Sequence, residues 1–289
     1  MNPLKKKLSY FHYNIGFFDF KEEIFGGSIK INWMKHPFRD RFFADPFILD
    51  ISETEIKVLV EEFPYKEWKG KISLLTIERN SYELKYKKTL LDLKTHLSFP
   101  FIFRTATEIY VIPENSASGC LHAYRFEEET QTLLYDSMLI AQPVIDPVIM
   151  HQGNDYLLFG TLRGQNENRD LYSWHSGELL KGYIPSDINP IVSDSNCGRR
   201  GGDFFNKNGE LYSAAQCCVH SYGEALNLCR VKEISANELK EKIIATLYPD
   251  EMYKEGLHTF NYYKGLCVVD GLTYLFRPFE KIVTAINRK

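Results

Sequence analysis

The sequence predicts an all-β chain folded as a five-bladed β-propeller with one short helix between blades four and five. Three observations carry this expectation. A short apolar strand motif recurs five times at a near-constant interval, and two further strand-like segments follow each recurrence. The chain is also rich in aromatics, at 14%, mostly 20 Phe and 18 Tyr, the residue types that suit pleated, half-buried surfaces.

The recurring motif places a small, polar or Pro position ahead of an apolar run. Its copies are Ala44-Asp45-Pro46-Phe47, Ser98-Phe99-Pro100-Phe101, Ile145-Asp146-Pro147-Val148, Gly201-Gly202-Asp203-Phe204 and Leu257-His258-Thr259-Phe260. Taking Asp45, Phe99, Asp146, Gly202 and His258 as equivalents, the intervals are 54, 47, 56 and 56 residues. Second strands are expected at 55–61, 108–114, 155–161, 210–216 and 265–270, and third strands at 71–77, 121–126, 171–175, 225–231 and 272–276. Repeats near 42–80, 96–137, 141–180, 190–234 and 248–285 then form one domain over 1–289. Such units, joined by polar turns, are the pattern of propeller blades.

The aromatic segment 10–33 is expected to supply an extra strand that closes the ring. Ser235-Ala236-Asn237-Glu238 reads as a capping box, with Leu239, Ile243, Ile244 and Leu247 behind it at helical spacing. This is the expected helix, a decoration of the outer rim between repeats four and five.

Composition excludes several function classes. Lys plus Arg is 35 against 38 Asp plus Glu, a net charge of −3, so there is no basic field for nucleic acid. The longest apolar stretch, 138–150, is interrupted by Gln142, Pro143 and Asp146, so no transmembrane segment is expected. Of six cysteines Cys217 and Cys218 are adjacent and four are scattered, with no CxxC pair, which argues against a zinc site or a disulfide framework and for reduced thiols in the cytoplasm. Gly201-Gly202 opens no helix, so it is neither a dinucleotide nor a P-loop fingerprint. No cofactor and no metal are expected.

Propeller geometry brings equivalent strand starts together at one mouth of the channel. Asp45 and Asp146, both before Pro, are the candidate catalytic carboxylates. Glu61 and Glu114, near the ends of second strands, are the candidate acids; alternation turns one of Glu61 and Glu62 inward, preferably Glu61, and leaves the other solvated. Paired carboxylates flanking a sugar carbon are what glycosyl transfer requires. His96, Arg199, Gln216, Tyr222 and His258 are the candidate substrate-binding residues. His258 could equally pair with a carboxylate as a core histidine, and Arg200 reads as a surface-loop residue. Trp33, Phe42, Phe43, Tyr65, Trp68 and Tyr222 are the aromatics available to stack on a sugar face.

At these residues the chain resembles a known group, the β-propeller domain N-terminal in plant glucosamine inositolphosphorylceramide transferases. The same domain occurs alone or beside formyltransferase-like domains in bacterial polysaccharide clusters. The matching pieces include Ala44-Asp45-Pro46-Phe47, Val60-Glu61-Glu62 with Lys69-Gly70-Lys71-Ile72, and His96-Leu97-Ser98-Phe99-Pro100-Phe101. They continue through Ile109 to Glu114, Asp187-Ile188-Asn189-Pro190, Arg199 to Gly202, and Leu211 to Gly223. The propeller is also similar to the five-bladed glycoside hydrolases of families 43, 32 and 68.

That resemblance implies Asp45 as base or nucleophile and Asp146 as a sugar-holding residue that tunes its neighbour. The hydrolase Glu-Cys-Pro motif is absent, so Glu61, Glu114 and Glu224 compete as the acid. The plant transferase chemistry belongs with a separate C-terminal domain, whereas this sequence ends with its fifth repeat. The expectation is a carbohydrate-active enzyme that cleaves or transfers a glycosyl group in bacterial surface-polysaccharide or glycolipid metabolism. The alternative is a non-catalytic module that binds a glycan or sugar phosphate beside a partner glycosyltransferase. The expected partners are a carbohydrate or sugar-phosphate ligand and polysaccharide-biosynthesis enzymes.

Overall fold

Alternating buried strands separated by tight polar turns assemble into five antiparallel sheets in the computed structural model, which describes residues 3–26 and 29–286. Blade one runs outward through Arg41–Ile51, Glu55–Pro64, Lys71–Glu78 and Leu84–Leu91. Blade two consists of Ser98–Arg104, Ile109–Glu114, Leu121–Glu127 and Thr132–Ile140. Blade three has Val144–Gln152, Asp155–Leu162, Asp170–Ser176 and the short Ile184–Pro185. Blade four has Phe205–Lys207, Glu210–Cys217, Ala225–Ser235 and Glu238–Leu247.

Blade five joins the two ends of the chain. Phe260–Tyr263 and Leu266–Phe276 are followed in the sheet by Ser9–Asp19 and Asn32–Trp33. Ser9–Asp19 pairs along its whole length, from Ser9 opposite Phe276 to Asp19 opposite Leu266. The N-terminal segment therefore closes the ring, as expected. One detail is corrected: 265–270 and 272–276 are a single continuous strand, and the third strand of this blade comes from the N-terminus.

The faces of adjacent blades carry the core. Phe47, Leu74, Phe101, Val111, Val148 and Leu158 belong to one apolar cluster that joins blades one, two and three. Ile15, Phe17, Phe43 and Val58 join blade five to blade one. Apolar burial of this kind stabilises by about 25 cal/mol per Å², and in a ring it is distributed between neighbours.

The expected helix after Ser235 is a strand. Residues 235–238 form a hairpin turn in which the Ser235 hydroxyl accepts the Asn237 N–H at 3.3 Å, so the capping residue closes a turn instead. Glu238–Leu247 then pairs with Ala225–Ser235 through two register shifts. One shift sets Ile243 and Ile244 side by side, and Glu241 occupies an inward position in an ion pair. Both features hide the period of two. A short helix is present instead at Pro278–Ile286, beyond the last strand.

The innermost strands of blades one, two and three share a distortion that aims the site. Register skips from Ala44 to Phe47, from Ser98 to Phe101 and from Ile145 to Val148. The bulged residues Asp45, Phe99 and Asp146 lie at φ of 50°, 41° and 47°, each before Pro. A non-glycine residue there costs on the order of 1–3 kcal/mol and persists where surrounding contacts over-determine it. In blade four the equivalent is Gly202, at φ 154°, where a Cβ would lie 1.9 Å from the Phe260 carbonyl oxygen. A side chain cannot be accommodated there.

Candidate active site at the channel mouth

The bulges and the ends of the second strands meet around one cavity of about 500 Å³. Asp45, Glu61, Glu114 and Asp146 all line it, as do His96, Arg199, Tyr222 and His258. Of the expected binding residues, Gln216 alone is outside this lining. It is 1% exposed and donates to Asp146 Oδ2 at 2.9 Å from behind.

Asp45 is held by main chain and side chain together. Its Oδ2 accepts the Phe99 N–H at 3.1 Å, its Oδ1 accepts the Thr259 hydroxyl at 2.9 Å, and its own N–H donates to Asp270 Oδ2 at 3.0 Å. The left-handed turn of one blade is thus fixed by the carboxylate of the blade before it. Asp270 also accepts the N–H groups of His258 and Thr259, at 3.1 and 2.9 Å, and His258 Nδ1 lies 2.7 Å from its Oδ2.

Charge states follow from these contacts. Burial pulls the His258 imidazolium down, but Asp270, Asp45 and Asp146 outweigh burial and hold it at about 9. Asp270 is kept below the usual carboxylate range, since His258 and the N–H donors overcome its burial. Burial raises Asp45 to about 6, with His258 opposing. Near neutral pH these three groups therefore carry two negative charges and one positive.

The two glutamates behave differently. Burial and the adjacent Asp146 raise Glu114 to about 8, against Arg199, while the Ser116 hydroxyl donates to its Oε1 at 2.8 Å. Burial, then Asp45 and Glu114, raise Glu61 well above the usual range. Its neighbour His96 cannot compensate: Nδ1 accepts the Gly70 N–H at 2.9 Å, and burial lowers the ring to about 4. A neutral Nε2–H then faces Glu61 Oε1 at 3.4 Å. Gly70 permits this approach, because a Cβ would meet the Leu97 carbonyl oxygen at 2.3 Å and Glu61 Oε1 at 2.6 Å.

Arg199 closes the opposite wall. Its Nε donates to Asp146 Oδ2 at 2.7 Å, an Nη1 bond at 3.0 Å reaches Asn168, and its guanidinium lies 4.7 Å over the Tyr222 ring. Tyr13, not singled out by the sequence, stacks on His258 at 4.7 Å between centroids. Ser98, at the start of the second repeat, lines the cavity, and so do Phe11, Phe63 and Tyr274, which the sequence did not single out. Their signal was available only as alternation within strands whose place in the ring was unknown. Asp270, visible as a strand end, proves to be the group that fixes both His258 and the Asp45 backbone.

Several expectations are corrected. Glu62 is not solvated: it is fully buried, within hydrogen-bond reach of Arg41, Lys87 at 2.8 Å and Ser73 at 2.5 Å. Arg200 is not a surface residue but fully buried, with Nη1 and Nη2 3.0 and 3.1 Å from the Glu241 oxygens. Glu224 pairs with His220 at 3.1 Å outside the cavity lining. Among the stacking candidates, Phe42 and Tyr222 line the cavity. Phe43 and Tyr65 are core residues, Trp33 packs on Tyr253, and Trp68 packs on Phe11 and Phe63.

Asp45, His258 and Asp270 each bring a ligand atom within 4.8 Å of the others, which makes them the candidate metal donors among the described residues. Their hydrogen bonds do not fit a cation. Asp270 already accepts three N–H bonds and the ion pair, and Nδ1 of His258 is committed to it. Among the described residues no helix is long and apolar enough to cross a membrane.

Comparison with known proteins bears on this geometry. The model of the family described as glucosamine inositolphosphorylceramide transferase 1, N-terminal, matches residues 31–264. The protein of that name from Arabidopsis thaliana is 30% identical over 176 residues, 59% of this chain and 23% of the relative. The Oryza sativa subsp. japonica protein is 29% identical over 205 residues, 69% of this chain and 27% of the relative. The chain thus spans about a quarter of the length of these curated relatives.

Solved structures share the fold. An α-L-arabinofuranosidase from Podospora anserina superposes with a TM-score of 0.57 at 9% identity, over 84% of this chain and 94% of that one. An exo-β-1,3-galactanase from Clostridium thermocellum gives 0.56 at 9% identity, over 83% and 64%. A family 43 β-xylosidase/α-arabinofuranosidase from a compost metagenome gives 0.52 at 11% identity, over 83% and 93%.

Proposed function

The chain belongs to the glucosamine inositolphosphorylceramide transferase 1 N-terminal family, and from that premise we propose that its channel mouth cleaves or transfers a glycosyl group. The observation that carries this reading is one cavity in which an ionised Asp45 coexists with Glu114, whose surroundings keep it protonated near neutral pH, and with Glu61, whose carboxyl burial holds well above the usual range. Separating the protonation states of two carboxyls is how acid and base roles are divided in glycoside chemistry.

In this mechanism Glu114 gives its proton to the leaving glycosidic oxygen. Asp45 either takes the proton of an attacking hydroxyl or bonds to the anomeric carbon. Asp146, held by Arg199 and Gln216, grips sugar hydroxyls and keeps the Glu114 proton in place through its own charge. His258, His96 and Tyr222 complete the walls. The substrate is a carbohydrate or sugar phosphate, Arg199 offering the cation that an anionic group would need. The setting is surface-polysaccharide or glycolipid metabolism in the cytoplasm, alongside biosynthetic enzymes.

A second reading has one specific support. Both oxygens of Asp45 already accept protein hydrogen bonds, an arrangement equally suited to a module that binds a glycan without reacting. Mass spectrometry of wild type against Asp45→Asn and Glu114→Gln, over aryl glycosides, sugar nucleotides and lipid-linked amino sugars, separates the two. A product formed by wild type and lost on the order of 10²–10⁴-fold in each variant is expected. Saturable glycan binding without product would replace the enzyme by the binding module.

A further inference from the structure

The two ends of the described chain leave blade five on the side of the cavity mouth, because Ser9 pairs with Phe276 at the edge of the closing strand. The helix Pro3–Lys7 brings Lys5, Lys6 and Lys7 there, and Lys6 and Tyr274 are themselves part of the cavity lining. The helix Pro278–Ile286 lies beside them. Lys281 fastens it to the closing strand by donating to the Ser9 carbonyl and lying 5.6 Å over the Tyr10 ring.

That attachment holds an apolar face outward. Phe279 is 84% exposed, Val283 one turn on is 56% exposed, and Phe276 just before the helix is 48% exposed. Lys5 lies 5.3 Å over the Phe276 ring, so cationic and apolar groups are interleaved in one patch. This basic concentration stands out in a chain whose net charge is −3.

We propose that this patch docks on an anionic lipid surface, turning the cavity mouth toward the bilayer. A short amphipathic helix with exposed Phe and Val beside clustered lysines is what interfacial binding requires: apolar side chains enter the acyl boundary while cations meet anionic headgroups. The charge argues for lipid over a second copy of the chain, since two copies would bring their lysine clusters together. Docking in this way presents the cavity with glycans borne on lipid. That consequence rests on the glycosyl reading, whereas the docking itself does not.

The test is co-sedimentation of the full chain with glycan-free vesicles of phosphatidylcholine, with and without phosphatidylglycerol. Binding is expected only with phosphatidylglycerol and is expected to weaken as salt rises. Lys5→Ala with Lys7→Ala should reduce it by roughly 20-fold, and Phe279→Ser with Val283→Ser by on the order of tenfold. Equal partition into both vesicles, no partition into either, or a salt-independent partition that both variant pairs retain would each overturn the proposal. So would a concentration-dependent dimer in analytical ultracentrifugation that Phe279→Ser abolishes, since that assigns the patch to a second copy. Because the vesicles carry no sugar, failure here leaves the glycosyl reading intact, and failure of turnover leaves the docking intact.

Discussion

Adjacent like-charged residues meet opposite fates in blades one and four. Glu61 and Glu62 are neighbours, yet strand alternation sends Glu61 to the cavity and Glu62 into a buried cluster with Arg41, Lys87 and Ser73. Arg199 and Arg200 divide in the same way, one beside Asp146 at the mouth and the other against Glu241 inside blade four. The difference lies in how fully each charge is matched. Glu62 has two cations and a hydroxyl, which overcome burial and keep it below its usual range. Among the described residues Glu61 has only a neutral imidazole beside it, and burial holds its carboxyl well above the usual range. Both arginines keep a carboxylate partner, Asp146 for Arg199 and Glu241 for Arg200; among the four it is Glu61 whose carboxyl is left facing the cavity without a cation.

The largest effect expected from breaking this contrast is in blade four. Arg200→Met strands Glu241, whose side chain is 4% exposed, without its cation. Removing one partner of a buried pair costs about 3–5 kcal/mol, to be read from the urea midpoint. Arg200→Met with Glu241→Leu should recover most of that loss. Arg199→Met should cost less stability, on the order of 1–2 kcal/mol, because Asp146 borders a cavity that water can enter. If Arg199 proves the costlier of the two, bordering the cavity does not relieve the Asp146 carboxylate it leaves behind.

How much of this was legible in the sequence depends on how local the signal is. The inner strand starts were visible because Asp-Pro, Phe-Pro and Asp-Pro recur at the same point of the repeat, whereas the three equivalent bulges there appear only in the register. Convergence of Asp45, Glu61, Glu114 and Asp146 followed from ring geometry once five repeats were counted. What escaped depended on partners distant in sequence. Arg200 meets Glu241 41 residues on, and Asp270 meets the Asp45 N–H from the other end of the chain. The segment 235–247 was misread for the same reason: Glu241 sits inward only because Arg200 is there to receive it. Nothing within that segment signals the exchange.

An effect of intermediate size separates the readiness of Glu114 from ordinary burial. Its folded-state value, about 8, is raised above the unfolded one, so the folded protein binds this proton more tightly. The stability it contributes is complete below the unfolded carboxyl range and is lost as pH rises through about 8. Glu114→Gln removes the group that must ionise. The variant should therefore be the more stable protein at pH 9, by on the order of 2–4 kcal/mol, and show little advantage at pH 5. A constant offset between the two unfolding curves across that range would mean that the proton is not bound more tightly in the folded state.

The smallest effect tests the pair from which the contrast began. Because burial holds the Glu61 carboxyl well above the usual range and favours its neutral form, Gln reproduces its shape and that neutrality, and Glu61→Gln should alter stability at pH 7 by no more than about 1 kcal/mol. Glu62→Gln is the same chemical change one residue away. It leaves Arg41 and Lys87 around a neutral amide, and the Ser73 hydroxyl facing a weaker acceptor, so it should cost about 2–3 kcal/mol. Chemical denaturation of both variants beside wild type measures the two together. Equal losses would mean that Glu61 is ionised and matched by a partner its surroundings do not reveal, and Glu114 would then stand alone as the acid of the site. Unequal losses in the expected order leave both protonated carboxyls facing Asp45 across the cavity, and turnover by Glu61→Gln then decides which of them delivers the proton.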